Sequence, residues 1–404
     1  MAATPTSMDA ALKEVFTEEN IAEQLYSLTP LLDRIRKLKN PTQIGQQAQT
    51  TVHVGRNHGY TALPAAGGTL NTAGQQAMAQ AVWNYTHHNM PIKIQGSIIS
   101  QTKNKTLSIA EAIDTEVSGA ITDLNRELTR QLFLAGDARI TACVSTTTSN
   151  TLLLNVADGF DAIERGWLEV GSVIDVGSSS NEVSVADAVT ITTVTESETA
   201  PSVVISGSTV SAATTDFVSI ANARSGATIY EMNGLGNVVD SATTLGALTV
   251  AAQSGWASYE DSTAQALTLP LMLKAQRKVH QKTGRAPNYV IMGLKQQANF
   301  YSLLQAQTRF TGDTGQGAGN VSAPKWNEME IHADPDCKNA QMYFLTIEDL
   351  ELITDGNPSW QSDITGGKVL EWIQGEDAFG GRLNCRIQLG ASRRNSHAKM
   401  TGLT

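Results

Sequence analysis

The chain has 404 residues, 41% of them hydrophobic and 17% charged, with a formal charge of −10 at pH 7. That balance suits a globular protein of two or three domains and excludes a disordered chain, and the acidic excess argues against broad nucleic-acid binding, which needs clustered Lys and Arg. No run of roughly 18 apolar residues occurs and Met1 to Ala11 is small and polar, so neither a membrane span nor a signal peptide is expected.

In the first 50 residues, Thr17 with Glu18 and Glu19 marks a helix start, and Ile21, Leu25 and Leu28 share one face before Pro30 interrupts. Arg34, Arg36, Lys37 and Lys39 then surround Ile35 and Leu38. They read either as a solvated face near a helix end or as an arm that docks on an acidic neighbour. From Asn40 to Ala110 there is no Asp or Glu. Within that gap, Thr51 to Val54 alternates as a strand, Pro64 to Gly68 is turn-rich, and Val82 to Ile94 reads as a second strand carrying Trp83, Tyr85 and Ile92. Together they make a protruding hairpin with an uncharged tip. A lone two-stranded ribbon is marginal in water, so a partner surface on another copy is expected. His87 and His88 are adjacent and would face opposite sides of a strand, which does not make a metal site.

The stretch from Thr106 to Gly136 organises the rest. Ser108 precedes Glu111 at capping-box spacing, and Ile109, Ile113, Val117, Ile121, Leu124, Leu128 and Leu132 recur at three- and four-residue steps. Glu116, Asp123, Arg126, Glu127 and Arg130 take the other face, and Gly136 ends the helix. At the usual rise, about 28 residues make a helix about 40 Å long.

After that helix, Ile140 to Asp261 carries Arg165 and Arg224 as its only basic residues against many carboxylates. Leu168 to Val176, Val189 to Val194, Ser202 to Ile205 and Phe217 to Ile220 are short, β-branched and separated by turn residues, the pattern of a small antiparallel β-domain inserted into its host. Pro270 to Lys282 reads as a helix stopped by Gly284, followed by a buried strand at Tyr289 to Met292. A second helix is expected to turn Ala298, Tyr301, Leu303 and Leu304 inward, before a flexible loop containing Gly312, Gly315, Gly317 and Gly319 that lacks the Lys-Ser/Thr ending of a phosphate loop. Strands follow at Glu328 to Ala333, Met342 to Leu345, Leu350 to Ile353, Val369 to Ile373 and Leu383 to Leu389, closing an α+β domain. Cys143, Cys337 and Cys385 are far apart and odd in number, and read as small buried hydrophobes.

This order of parts resembles a tailed-bacteriophage major capsid protein of the Hong Kong 97-type fold, most specifically in the hairpin with the helix from Ser108 to Gly136, in the block from Leu267 to Ile353, and in a C-terminal strand with Ala391, Ser392, Arg393 and Arg394. The resemblance implies an α+β fold with residues 1–50 as N-terminal arm, 51–95 as E-loop hairpin, 96–140 as spine helix and peripheral-domain strand, 141–240 as the inserted β-domain, 241–261 as a return to the peripheral domain, and 262–404 as axial domain. It also implies a virion coat protein, made in a host bacterial cytoplasm, that self-assembles as hexamers and pentamers. Portal and scaffolding proteins would be its partners, with a possible decoration protein and packaged DNA nearby but no sequence-specific contact. Because the arm begins almost at Met1, the scaffold is expected to be a separate protein. A cellular encapsulin-type cargo shell, or a tail or decoration protein, is the alternative.

Contacts between copies are expected from Arg56, Tyr60, Leu63 and Leu70 of the hairpin and from Arg34, Arg36 and Lys37 of the arm, and the core of the long helix from Ile113, Val117, Ile121, Leu124 and Leu128. No catalytic, cofactor or metal site is expected: HExxH, GxSxG, a phosphate loop and Cys-x-x-Cys are all missing. Some capsids of this fold join the hairpin to a neighbour through a lysine. Here Asn40 to Ile92 contains none and Lys93 lies at the base, so a shell held without covalent links is expected.

Overall fold

The computed structural model describes residues 30–404 apart from 39–41, 45–46, 58, 64–66, 70, 97–105, 145, 179–180, 208, 306–324, 356–357 and 362–368. The expected helix after Thr17 and the loop from Gly312 to Gly319 lie outside them. Three hydrophobic cores divide the rest.

The largest core is built on the long helix α1 (Thr106–Phe133). The apolar stripe read from the sequence is its buried face: Val117, Ile121, Leu124, Leu128 and Leu132 are all at most 3% exposed. Ile113 belongs to the same helix, but its side chain lies outside the described residues. Two details differ from expectation. The helix begins at Thr106, so Ser108 sits in its first turn rather than capping it. Arg130, assigned to the solvated face, is 1% exposed because a carboxylate from a distant segment meets it in the core. Leu124→Ala should lower the unfolding free energy by about 2 to 5 kcal/mol, since the surrounding helix and sheet cannot collapse into the space. Urea unfolding of the purified chain measures it, and a loss under about 1 kcal/mol would mean the stripe is not where the stability lies.

Against α1 lie two sheets that share one continuous run of chain. Strand β1 (Gln47–Gly55) pairs antiparallel with β2 (Ala77–Asn84), from Gln47 opposite Asn84 to Gly55 opposite Ala77, and the short strand Thr42–Ile44 lies along the other side of β1. Directly after β2, β3 (Thr86–Gln95) enters a different sheet and pairs over ten residues with β4 (Ala378–Ala391). The single strand expected from Val82 to Ile94 is thus two strands, divided at buried Tyr85. Trp83 shows why the chain is held here. Its ring is 1% exposed, its indole N–H donates to Thr50 Oγ1 at 2.9 Å, and a Cβ at Gly390 of β4 would stand 3.0 Å from it. Ala48, Val52 and Ala81 are also buried, so the base of the hairpin packs within its own chain.

The second core lies under an antiparallel six-stranded sheet in the order Thr141–Ala142, Phe217–Ile220, Val173–Gly177, Ala186–Thr195, Ser202–Ile205, Thr151–Leu153. Ile174, Val176, Ile191, Val203 and Val218 point into it, and helix α2 (Val156–Glu164) covers one end. Asn155 caps α2, its Oδ1 accepting from Ala157 N at 3.1 Å and Asp158 N at 3.4 Å. Buried Asp175 fixes two turns at once by accepting from Ala188 N at 2.8 Å and Asn222 N at 2.9 Å.

The third core joins a mixed sheet, containing Tyr289–Met292, Met329–Ala333, Met342–Leu345 and Ala398–Met400, to helices α3 (Leu269–Thr283) and α4 (Leu294–Gln305). Thr268 caps α3, Pro270 sits in its first turn, and Gly284 ends it at φ 76°. The inward face of α4 differs from expectation. Gln296 and Phe300 are buried, whereas Ala298 and Tyr301 are exposed. Gln296 is admitted because its Nε2 donates to Asn339 O at 2.9 Å. Cys143, Cys337 and Cys385 are all buried as free thiols, and burial pushes Cys143 and Cys385 up to about 12. No described helix is long and apolar enough to cross a membrane.

Candidate intersubunit surfaces

Beyond the last paired residues of β1 and β2, the hairpin runs out into a tip spanning 56–76. Asn57 ties its two sides together, Nδ2 donating to Gly74 O and Oδ1 accepting from Gly59 N, both at 2.7 Å. A Cβ at Gly59 would stand 2.7 Å from Gly74 N, so glycine is required for that approach. His53 and Gln76 join across the neck at 2.7 Å. The tip is shaped by polar bonds while its apolar groups face outward: Tyr60 is 87% exposed, Leu63 43%, and Met78 at the neck 61%. Arg56 is exposed and has no ion-pair partner among the described residues. Leu70 lies outside the described residues.

The basic segment of the arm is placed differently. Arg34, expected between subunits, forms an ion pair with Glu330 of its own chain and lies 5.3 Å above the Tyr289 ring. Arg36 and Lys37 belong to a short strand, Arg36–Leu38, that runs parallel to Leu350–Thr354, with Arg36 opposite Glu351 and Lys37 opposite Leu352. Lys93 is paired with Glu376 at the base of the hairpin. Of the residues expected at contacts between copies, the structure brings Arg56, Tyr60 and Leu63 together on one projection and folds the arm residues onto the body.

A buried polar network, missed in the sequence, holds the segment 231–243 between α1 and β4. Arg130 pairs with Glu231 and, at 3.0 Å, with Glu127. Gln131 Oε1 accepts from Met232 N at 3.1 Å, and Gln388 Oε1 accepts from Asn233 N at 2.7 Å. Arg394, fully buried, donates to the carbonyls of Asn237, Val238 and Thr243 at 2.6 to 3.0 Å, and Lys399 meets Asp240 at 3.0 Å and Glu260 at 3.1 Å. The one sequence signal was Glu231 itself, a carboxylate heading an apolar stretch that includes Met232, Leu235, Val238 and Val239.

The second core is attached to the third through the turn 334–339. Arg165 donates to Pro335 O at 2.7 Å and Cys337 O at 2.9 Å, Trp167 Nε1 to Asp336 Oδ1 at 3.2 Å, and Lys338 pairs with Asp158 at 2.9 Å. Asp161 accepts from Asn339 N at 3.0 Å and Nδ2 at 2.8 Å. Burial raises Asp334, in this turn, from 3.8 to about 6. A raised carboxyl pKa stabilises the fold below the unfolded value and that contribution is lost as pH rises through the folded one. Asp334→Asn keeps the oxygen that accepts from Asp336 N at 2.9 Å. It should remove the loss of stability between about pH 4 and 6 and gain up to about 3 kcal/mol at pH 7, read from denaturant midpoints across that range. An unaltered pH profile would place the burden elsewhere. Among the described residues no three His, Cys, Asp or Glu side chains gather as a metal-binding group.

No protein-family model matches the chain, and no curated protein matches it. Among solved structures, a chain of the cyanophage A-1(L) capsid asymmetric unit superposes with a TM-score of 0.53 at 12% identity, covering 92% of this chain and 90% of that one. The capsid of a native GTA particle gives 0.48 at 8% identity over 94% and 91%, and a Mycobacterium phage Bobi structure 0.45 at 8% over 92% and 89%. With the superposition on the cyanophage chain covering 92% of this chain and 90% of that one, this protein has the fold of a phage capsid protein.

Proposed function

We propose that the chain is the major coat subunit of the icosahedral head of a tailed double-stranded DNA bacteriophage, self-assembling as hexamers and pentamers. The observation that carries this is the shared fold with the cyanophage capsid chain over nearly the full length. The projecting tip adds physical sense, because apolar groups held outward by a polar scaffold gain most when buried on the next copy, and a ring of such heterologous contacts closes. In this reading residues 1–50 are the arm, 51–95 the E-loop, 96–140 the spine, 141–240 the inserted β-domain, 241–261 the return to the peripheral domain and 262–404 the axial domain. Portal and scaffolding proteins are its partners, a decoration protein is a further candidate, and the net charge of −10 keeps packaged DNA a neighbour rather than a specific ligand. The coat is made in the host cytoplasm, resides in the virion and has no catalytic duty. A cellular cargo shell is the less favoured reading, since the match that carries the argument is to a phage capsid.

Negative-stain microscopy of the purified chain, alone and with co-expressed phage structural proteins, tests the proposal. Closed shells of uniform size are the expected result. Monomers or small oligomers under every condition would overturn it. The inserted domain has its own check: a fragment of 140–241, which carries the second core's strands, should show a β-type circular dichroism spectrum, and a random-coil spectrum counts against its independence.

A further inference from the structure

A cleft of about 200 Å³ lies where the neck of the hairpin meets the end of α3 and the turn after β4. Its walls bring together His53 of β1, Lys282 from the last turn of α3, Arg393 and Asn395 of the C-terminal turn, and Trp256. Among the described residues no carboxylate lines it. Lys282 Nζ donates to the Ala257 carbonyl, which fixes the ammonium near the cleft without neutralising it. Arg393 is exposed and has neither an ion pair nor a side-chain hydrogen bond among the described residues. Trp256, 3% exposed, has an indole N–H without a hydrogen-bond partner there. Behind the wall stands the buried guanidinium of Arg394, whose charge, after burial itself, lowers Lys282. Cations are thus crowded at one place in a chain whose formal charge is −10.

We infer that this cleft is a binding site for a small oxyanion of the phosphate or carboxylate type, held by Lys282 and Arg393. Two cations and neutral donors converging on one small volume are complementary to a compact group with several acceptor oxygens, and charge-assisted bonds to such a group are the strong ones. A bound anion offsets the effect of the Arg394 charge on Lys282, so binding and the stability of this corner are coupled. The walls are close because a Cβ at Gly255 would stand 3.0 Å from Val54 O, which lets the turn at Ser254–Trp256 lie directly against β1. The inference does not depend on the assembly proposed above.

Calorimetric titration of the full chain at low ionic strength with inorganic phosphate, and separately with acetate, tests it. Saturable binding of one ion per chain is expected, with affinity reduced about tenfold or more in Arg393→Gln and in Lys282→Gln. Arg277→Gln should leave it unchanged, because Arg277 is on α3 but lines a different groove. Melting curves of the variants in anion-free buffer separate loss of the site from loss of the fold. Tighter binding of phosphate identifies that ion as the ligand, and tighter binding of acetate identifies a carboxylate. Absence of saturable binding of either ion, or binding that survives in the Arg393→Gln and Lys282→Gln variants, overturns the inference.

Discussion

Glu231→Ala should destabilise the folded chain by about 3 to 5 kcal/mol, because it leaves the Arg130 guanidinium charged and buried with only one edge satisfied. Arg130 is 1% exposed and Glu231 6%, and they are paired through the core. Burial acts to lower Arg130 and Glu231 and Glu127 act to raise it; with Glu231 gone the group still cannot escape by losing its proton, because a guanidinium stays charged in proteins. Glu127 remains after the substitution, bonded to Nε at 3.0 Å, but its side chain is 41% exposed and water screens it. The segment beginning at Glu231 would also lose one of its ties to α1, leaving the bonds from Met232 N to Gln131 of α1 and from Asn233 N to Gln388 of β4. A double variant, Arg130→Met with Glu231→Leu, should recover most of the loss, since removing both charges leaves nothing stranded. Urea midpoints of the wild type, Glu231→Ala, Arg130→Met, Glu231→Leu and the double variant measure this. A single-variant loss under about 1 kcal/mol would mean that water reaches the pair.

The contrast between Arg130 and its neighbours shows where sequence reasoning reached and where it stopped. A 3.6-residue period found Val117, Ile121, Leu124 and Leu128 because burial of leucine-like side chains needs no knowledge of the partner. The same period put Arg130 in solvent, and only a contact 101 residues away reverses that. Gln296 failed for a similar reason: a polar residue is buried on α4 because two carbonyls, Asn339 O and Leu403 O, accept from it. The division at Tyr85 was hidden because strand-forming residues continue on both sides, and which sheet each half joins depends on β4, almost 300 residues later in the chain. Strand β4, expected over Leu383 to Leu389, runs instead from Ala378 through Gly380 and Gly381. They lie within the strand, where a Cβ at Gly381 would stand 2.8 Å from Val369 O, so they permit close approach rather than reversal. At the candidate interface, the missing acids of the hairpin and its apolar tip were legible as composition, whereas the folding back of Arg34 onto Glu330 was not.

Tyr60→Ser combined with Leu63→Asp should abolish assembly while leaving the melting of the soluble chain unchanged. Both side chains are exposed in the isolated fold, so nothing in the subunit is lost by removing them. Buried on a neighbour, each contributes about 1.5 to 3 kcal/mol, and the aspartate would add the cost of taking an unpaired charge out of water. That per-copy loss recurs at every contact of a shell, so a modest local change has a large collective effect. Arg56→Ala should act more weakly and mainly at low salt, because the attraction proposed between it and a carboxylate on the next copy is screened within about 10 Å at 0.1 M. Microscopy and sedimentation of the variants separate the two effects. If the Tyr60 and Leu63 double variant forms normal shells, the tip is not the contact. In the proposed shell the tip offers no lysine for a covalent link. No lysine occurs from Asn40 to Ile92, and Lys93 is paired with Glu376 at the base, too far down the hairpin to act as a nucleophile at its tip. Boiled mature particles should therefore run as a single band near 43.1 kDa on a denaturing gel, and a ladder of multimers surviving reduction would require a cross-link made elsewhere in the chain.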